Sequence, residues 1–385
     1  MMSGNHEVLD TESAAVPLPE TVALVLQGGG ALGSYQAGVF CELVRQNVRI
    51  DWVAGISIGA INSAIIAGNA PDVACIRLRE FWELVTSGTM DFVFGDSDYW
   101  REMNHYVGAA VSAGVGVPGF YRPHLVSPTF AWPGTPAAVS MYDTTPMIET
   151  LNRFIDWDRL NTGPVRFSVG AVNVESGNFY YFDTQDPEGP QTIDARHIMA
   201  SGALPPGFAP VEINGKHYWD GGLVSNTPLA YVLDNQTSDM LAFQVDLFPA
   251  RGALPTKFAD VMSREKDIRY SSRTRQVTNH YMKLRKEHEA LRNVLAMLPR
   301  EMCSMADVKR VRALVQDNAV NIVHLIYNVQ KWESGMRDFE FSRATMNTHW
   351  DQGIDAVEAV MRNGDLLAQN IMNGDTATFD LAPHS

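Results

Sequence analysis

The chain has little cysteine, no long apolar run and a deficit of positive charge, and each shortfall removes a class of protein. Cys41, Cys75 and Cys303 are the only cysteines in 385 residues. Two of them fall in helix-like stretches, so a disulfide framework is excluded and a reducing compartment is expected. No stretch of about eighteen consecutive apolar residues occurs, which leaves peripheral contact as the route to any lipid surface. Lys and Arg number 30 against 44 Asp and Glu, for a formal net charge of -14. That balance argues against broad nucleic-acid binding. Residues 1–20 are polar and acidic, without the basic start and apolar centre of a secretory signal. They read as a disordered tail, and a cytoplasmic location is the expectation that follows. There is no HExxH, and His280 and His288 stand too far apart on a helix to make a compact ligand pair, so neither metal nor cofactor is expected.

What the chain does have is glycine at pointed positions. Val53 to Ile61 reads VAGISIGAI and sets Ser57 between Gly55 and Gly59. Gly-x-Ser-x-Gly is a nucleophile-elbow pattern: the serine sits on a strained turn between a buried strand and a helix, where a flanking side chain would strike neighbouring backbone. Residues 51–54 read as the strand and Ile58 to Ala67 as a small-residue helix.

Upstream, Val22 to Leu26 (VALVL) is a continuous apolar run, typical of a strand buried on both faces, and QGGGALGSYQAG follows it. Gly28, Gly29 and Gly30 bring main-chain N–H groups close to a ligand, and the helix after them, with Ala37, Phe40, Val44 and Val48 near helical spacing, points its N-terminus the same way. With the N–H of Ile58 they are candidates for an oxyanion hole, where each donor contributes about 3 kcal/mol to a transition state. Gly28, Gly30 and Gly33 also spell the G-x-G-x-x-G of dinucleotide sites. That reading wants an acidic residue at the end of the second strand, whereas Asp51 precedes it and Ser57 occupies its end.

His217 to Asn226 (HYWDGGLVSN) contains Asp220-Gly221-Gly222. By itself this reads as a tight turn. Beside a serine elbow that needs a base, a rigid and glycine-exposed aspartate makes a Ser57–Asp220 dyad the alternative reading.

In this order, the glycine-rich loop, the GISIG elbow and the DGG turn resemble the patatin-like phospholipase family over about residues 22–246, in the bacterial form with a C-terminal extension. Ala200 to Val211 (ASGALPPGFAPV) is similar to that family's block before the aspartate turn. The resemblance implies Ser57 as nucleophile, Asp220 as its partner, and backbone around Gly28, Gly29 and Gly30 as oxyanion hole. It also implies a three-layer α/β/α fold with a mainly parallel central sheet. The family's loop commonly carries Arg or Lys where this chain has Leu32, so esters lacking a phosphate are expected to be competent substrates.

Element patterns agree with an α/β protein. Asp72 to Val85 and a segment from Thr145 read as helices, Val165 to Phe182 as strands around a Ser176-Gly177-Asn178 turn, Asp194 to Ala203 as a helix and Met240 to Phe248 as a buried strand. The expected division is a tail (1–20), a hydrolase domain (21–250) and a mostly helical C-terminal extension (251–385), with residues 88–140 as an insertion. Tyr99, Trp100, Tyr106, Phe120, Tyr121 and Trp132 of that insertion either pack on the main body or cover an acyl group. Within the extension, Lys257 to Leu298 reads as helical, Ile322 to Tyr327 as a strand and Phe341 to Arg362 as a helix with Trp350, Ile354, Val357 and Val360 on one face. Arg264, Lys266, Arg269, Arg273 and Arg275 form either a solvated helix face or a patch for membrane or partner. The expected activity is hydrolysis of carboxylic esters, of lipids first of all. Storage polyester, acyl thioester and a catalytically silent scaffold are the alternatives.

Overall fold

The computed structural model describes residues 16–89, 97–330, 332–333 and 335–380. Most of the expected tail and part of the 88–140 insertion lie outside them. Residues 16–20 belong to the body, since Val16 and Leu18 pack against its main core.

β1 (Thr21–Leu26) shows why VALVL carries no polar alternation. Val22, Leu24 and Leu26 enter one core while Ala23 and Val25 enter another on the opposite face. A strand covered on both sides is apolar throughout. After it come α1 (Gly33–Arg45), β2 (Trp52–Gly55), α2 (Ile58–Ala67), α3 (Pro71–Val85), α4 (Asp98–Val115), β3 (Arg166–Asn173), β4 (Phe179–Asp183), α5 (Ala195–Gly202), β5 (Val211–Ile213), β6 (Lys216–Asp220), β7 (Met240–Asp246), α6 (Phe258–Ala296), β8 (Val320–Ile326), α7 (Arg343–Arg362) and β9 (Ala377–Phe379).

The strands form a nine-stranded sheet in the order β9-β8-β7-β1-β2-β3-β6-β5, with β4 also paired to β3. From β9 to β3 every pairing is parallel. β4, β5 and β6 run antiparallel to their neighbours at one side. One core gathers Phe40 and Leu43 of α1, Ile61 and Ile65 of α2, Phe81 and Trp82 of α3 and Val357 of α7. The other sets Leu229, Val232 and Leu233 against the sheet, with Val277 and Tyr281 of α6 packed on it. The result is the three-layer α/β/α arrangement expected from the sequence.

Past residue 250 the chain keeps building the same sheet. β8 pairs with β7 from Val320↔Met240 to Ile326↔Asp246. α7 lies on α1 at two glycines: a Cβ on Gly38 would come within 2.0 Å of the Trp350 carbonyl oxygen, and one on Gly353 within 2.2 Å of that of Tyr35. The backbones meet too closely for any side chain there. Ser342 caps α7 by accepting from the Thr345 N–H, so the helix begins two residues after the expected Phe341, which is buried.

The antiparallel side is where sequence and structure differ most. HYWDGG, which reads as a turn, starts inside strand β6, whose Tyr218 and Asp220 are buried while His217 is exposed. Five residues rich in polar groups and ending in Asp-Gly-Gly carry too little periodic signal to announce a strand. Within the insertion, Phe120 and Tyr121 pack with Tyr142 and Phe208, whereas Tyr99 and Trp132 are exposed.

Candidate functional site

Parallel β1 and β2 end side by side, with Leu26 opposite Gly55. The loops leaving their carboxyl ends therefore meet, which is where open α/β sheets place ligands. After β2, Ser57 takes φ 56° and ψ -123° as the residue before α2. A positive φ at a non-glycine residue is strained and raises the side chain out of the turn. Two glycines make the turn fit: a Cβ on Gly55 would stand 2.2 Å from the Gly59 carbonyl oxygen, and one on Gly59 2.4 Å from that of Leu26. The Ser57 N–H donates to Ser201 Oγ on α5 at 3.0 Å. Ser201 fixes the serine's backbone and thus has a positioning role that its sequence block did not reveal.

Asp220 ends β6 opposite Ala171 of β3. Its Oδ1 accepts the Gly222 N–H at 2.7 Å, and the nearby Ser57 side chain favours the ionised carboxyl. The residue is 3% exposed. Burial pushes its pKa up to about 7 against the opposing pull of the Gly222 and Ser57 hydrogen bonds. A carboxyl tuned in this way matches a general base near neutral pH better than an ordinary aspartate does.

The glycine loop is bound to the aspartate turn by Asn226. Its Nδ2 donates to the Gly28 carbonyl at 2.9 Å, and its own carbonyl accepts the Gly28 N–H at 3.1 Å. Gly28 is therefore not a donor to a ligand, which corrects its place in the expected oxyanion hole. A Cβ on Gly28 would lie 3.1 Å from Ser57 Cβ, so its contribution is the space it leaves. Among the described residues none accepts from the N–H groups of Gly29, Gly30 or Ile58. Gln27 supports the loop from behind, its Oε1 taking the Leu247 N–H at 2.6 Å.

The two remaining glycines differ in what they tolerate. Gly29 has φ 174°, outside the left-handed region, and an added Cβ would first meet the end of the Leu247 side chain at 2.6 Å. Gly30 has φ +56°, and its Cβ would lie 2.1 Å from the Asp338 carbonyl oxygen. Gly30→Ala is thus expected to displace the loop from the 3₁₀ turn Arg337–Phe339 and to cut ester turnover at least about 100-fold, with Gly29→Ala much milder. Comparable turnover in the two folded variants would contradict this ranking.

Leu32 is fully buried in the main core. It does not line the cleft, so the absent cation at this position has no direct bearing on the ligand. Leu32→Ala is expected to cost about 2–5 kcal/mol of stability through the cavity it leaves, read as a lowered urea midpoint.

Ser57 and Asp220 open into a cleft whose empty space, counted out to solvent, is about 710 Å³. Its walls include Gly28, Gly29, Gly30, Ile58, Asn226 and Phe208. Among the described residues no histidine lines it. His217 is turned away and bonded to Glu175 at 2.8 Å. An apolar branch, whose empty space counted out to solvent is about 310 Å³, adjoins the cleft through shared Ile61, Phe120, Gly202 and Phe208 and continues along Met147, Ile198 and Met199. Among the described residues of the insertion, Phe120 and Tyr121 line the cleft.

From the other end of the chain, Phe248, Tyr270, Asp338, Phe339 and Phe341 complete the walls. None of these bears a motif, and nothing local in the sequence announces them. Of the five basic residues read on α6, Arg264 donates to the Pro249 and Ala250 carbonyls, Lys266 pairs with Asp338 and Arg269 with Glu265. Arg275 is exposed, and the Arg273 side chain lies outside the described residues. Among the described residues no cluster of His, Cys, Asp or Glu could hold a metal ion.

A family model for patatin-like phospholipase matches residues 24–233 of the chain, and one described as patatin phospholipase matches residues 268–372. Among curated proteins, lysophospholipase NTE1 of Candida glabrata is 25% identical over 252 residues, covering 63% of this chain and 11% of that protein. A patatin-like phospholipase domain-containing protein of Caenorhabditis elegans, M110.7, is 37% identical over 62 residues, 16% of this chain and 6% of that one. The chain thus spans 11% and 6% of the lengths of these relatives. Among solved structures, VipD from Legionella pneumophila aligns over 93% of this chain and 78% of its own at 14% identity and a TM-score of 0.34. ExoU of Pseudomonas aeruginosa in complex with SpcU aligns over 94% and 75% at 12% identity and a TM-score of 0.31.

Proposed function

Because the chain belongs to the patatin-like phospholipase family, we propose that it hydrolyses carboxylic esters of lipids through a Ser57–Asp220 dyad. Asp220 accepts the Ser57 proton as the hydroxyl oxygen attacks the ester carbonyl. The N–H groups of Gly29, Gly30 and Ile58 receive the oxyanion, and Asp220 returns the proton to the departing alcohol. Water activated by the same carboxylate then releases the acyl group from Ser57. The apolar branch at Met147, Ile198 and Met199 takes the acyl chain, where each buried methylene contributes about 0.8 kcal/mol.

The observation that carries this reading is a buried aspartate within reach of an elbow serine, in a cleft with no histidine among its described walls. Residues 21–250 hold the dyad and residues 251–385 complete the mouth. Among the described residues no helix is long and apolar enough to cross a membrane; the reading includes action in the cytoplasm with peripheral access to lipid. A fluorophosphonate probe is expected to label the purified protein at Ser57, located by peptide mass. Absence of labelling alongside an inert ester panel would favour a scaffold instead.

The raised pKa of Asp220 gives the pH dependence. The base works only when ionised, so kcat/KM is expected to climb about tenfold per pH unit below its pKa of about 7 and to level off above it. A plateau already reached at pH 5 would show that this carboxyl is not the titrating base.

A further inference from the structure

The mouth of the cleft carries a charged pair for which ester cleavage has no use. Lys266 Nζ, on α6, donates to both Asp338 carboxylate oxygens at 2.8 and 2.9 Å. Asp338 and Phe339 line the cleft together with Gly28, Gly29 and Gly30. The ammonium stands 5.4 Å from the centre of the Phe339 ring. The side chains of Lys266 and Asp338 are 26% and 17% exposed and Phe339 is 39% exposed; Asp338 is the member of the pair that lines the cleft, and Lys266 is held on it and, at 3.4 Å, on the Gly335 carbonyl. Burial comes first in raising the phenol pKa values of Tyr121 and Tyr270, both in the cleft wall, and the Asp338 charge adds to each. The carboxylate is therefore felt inside the site.

The neighbouring pair Arg337–Asp267 is different. Its side chains are 3% and 8% exposed, and neither residue lines the cleft, so that pair already secures the 3₁₀ turn to α6.

A carboxylate beside an aromatic face is a setting that takes an ammonium group, and Lys266 shows the geometry by occupying it. A ligand ammonium can take that place and release Lys266 Nζ toward an adjacent phosphate. A zwitterion then forms two ion pairs for the one it opens. An anionic head group leaves Asp338 repelling it, and an uncharged one gains nothing from the pair. Discrimination arises from the repulsion as much as from the attraction.

We propose that Lys266, Asp338 and Phe339 form a head-group subsite for a zwitterionic phosphate–amine ester whose acyl carbonyl lies at Ser57. The proposal rests on the hydrolase reading above and deepens it by naming the substrate class. The subsite comes from the C-terminal part of the chain.

The test compares lysophosphatidylcholine, lysophosphatidylglycerol and monoacylglycerol of one acyl chain length, with kcat/KM measured for the wild-type protein and for Lys266→Gln and Asp338→Asn. The wild type is expected to favour the choline ester. Asp338→Asn leaves Lys266 unopposed and is expected to shift the glycerol-to-choline ratio at least about tenfold toward the anionic lipid. Lys266→Gln leaves Asp338 unopposed and is expected to shift preference away from the anionic lipid and toward monoacylglycerol. If the pair were only a clasp for the 3₁₀ turn, both variants would lose activity on all three lipids in parallel; that outcome, or unchanged ratios, overturns the proposal. Calorimetric binding of glycerophosphocholine and glycerophosphoglycerol to Ser57→Ala protein needs no turnover. Preference there for the choline compound, lost in Asp338→Asn, supports the subsite even if ester cleavage fails, and equal or absent binding of both removes it.

Discussion

Ser57→Ala is expected to lower ester hydrolysis by at least about 10⁴-fold, since loss of a nucleophile removes the covalent route and leaves only what binding and oxyanion donors supply. The backbone at this position holds φ 56°, and alanine adopts it no worse than serine does. The N–H bond to Ser201 Oγ is retained because it involves main chain. The variant is therefore expected to fold, with an unchanged circular dichroism spectrum, and to lose phosphonate labelling entirely. A folded Ser57→Ala protein that kept its esterase activity would remove the central claim.

Asp220→Asn is expected to reduce kcat by about 10³-fold while leaving KM near its original value, as loss of a general base does when the substrate contacts remain. His217→Ala serves as the contrast. That side chain is half-exposed and bonded to Glu175 away from the cleft, so nearly full activity is expected. If His217 mattered as much as Asp220, a Ser-His-Asp arrangement would be the better description.

The same substitution has an opposite effect on stability. The folded-state pKa of Asp220 is about 7 against an ordinary value of 3.8. Between those values the folded protein binds the extra proton, so stability falls as pH rises through the window. Above about pH 7 the buried charge costs on the order of 4 kcal/mol, the free-energy equivalent of that displacement in pKa. An asparagine side chain keeps an oxygen for the Gly222 N–H and carries no charge. Asp220→Asn is therefore expected to unfold at a higher temperature than wild type at pH 8 and to lose that advantage by pH 4. An equal or lower midpoint at pH 8 would mean that water or another group already compensates the charge.

Local chemistry explains what could be read without coordinates. Val22–Leu26, the elbow and Ile58–Ala67 were legible because each is a short continuous pattern with one physical cause: burial on both faces for the strand, and collisions that only glycine avoids at Gly55 and Gly59. Ser57 and Asp220 were legible as candidates for the same reason, since each sits in its own glycine-marked turn. The three-layer architecture was implied by the family resemblance, and the alternation of such segments agreed with it.

Tertiary structure alone decided how those turns are shared out. Gly28 had the composition of a donor, yet its N–H is taken by Asn226 across 198 residues, and no local pattern encodes that pairing. Leu32 stood where a cationic side chain was expected to face the ligand, but the turn after Gly30 rotates it into the core. The raised pKa of Asp220 depends on burial, which its sequence neighbours do not specify. The walls contributed by Tyr270, Asp338 and Phe339 arise because β8 joins the sheet beside β7 and draws the C-terminal segments back over the glycine loop. Sequence by itself determined the groups able to do chemistry, because backbone strain and hydrophobic period act over a few residues. Which of them face one another, and which are desolvated, was fixed by strand order and by packing between segments far apart in the chain.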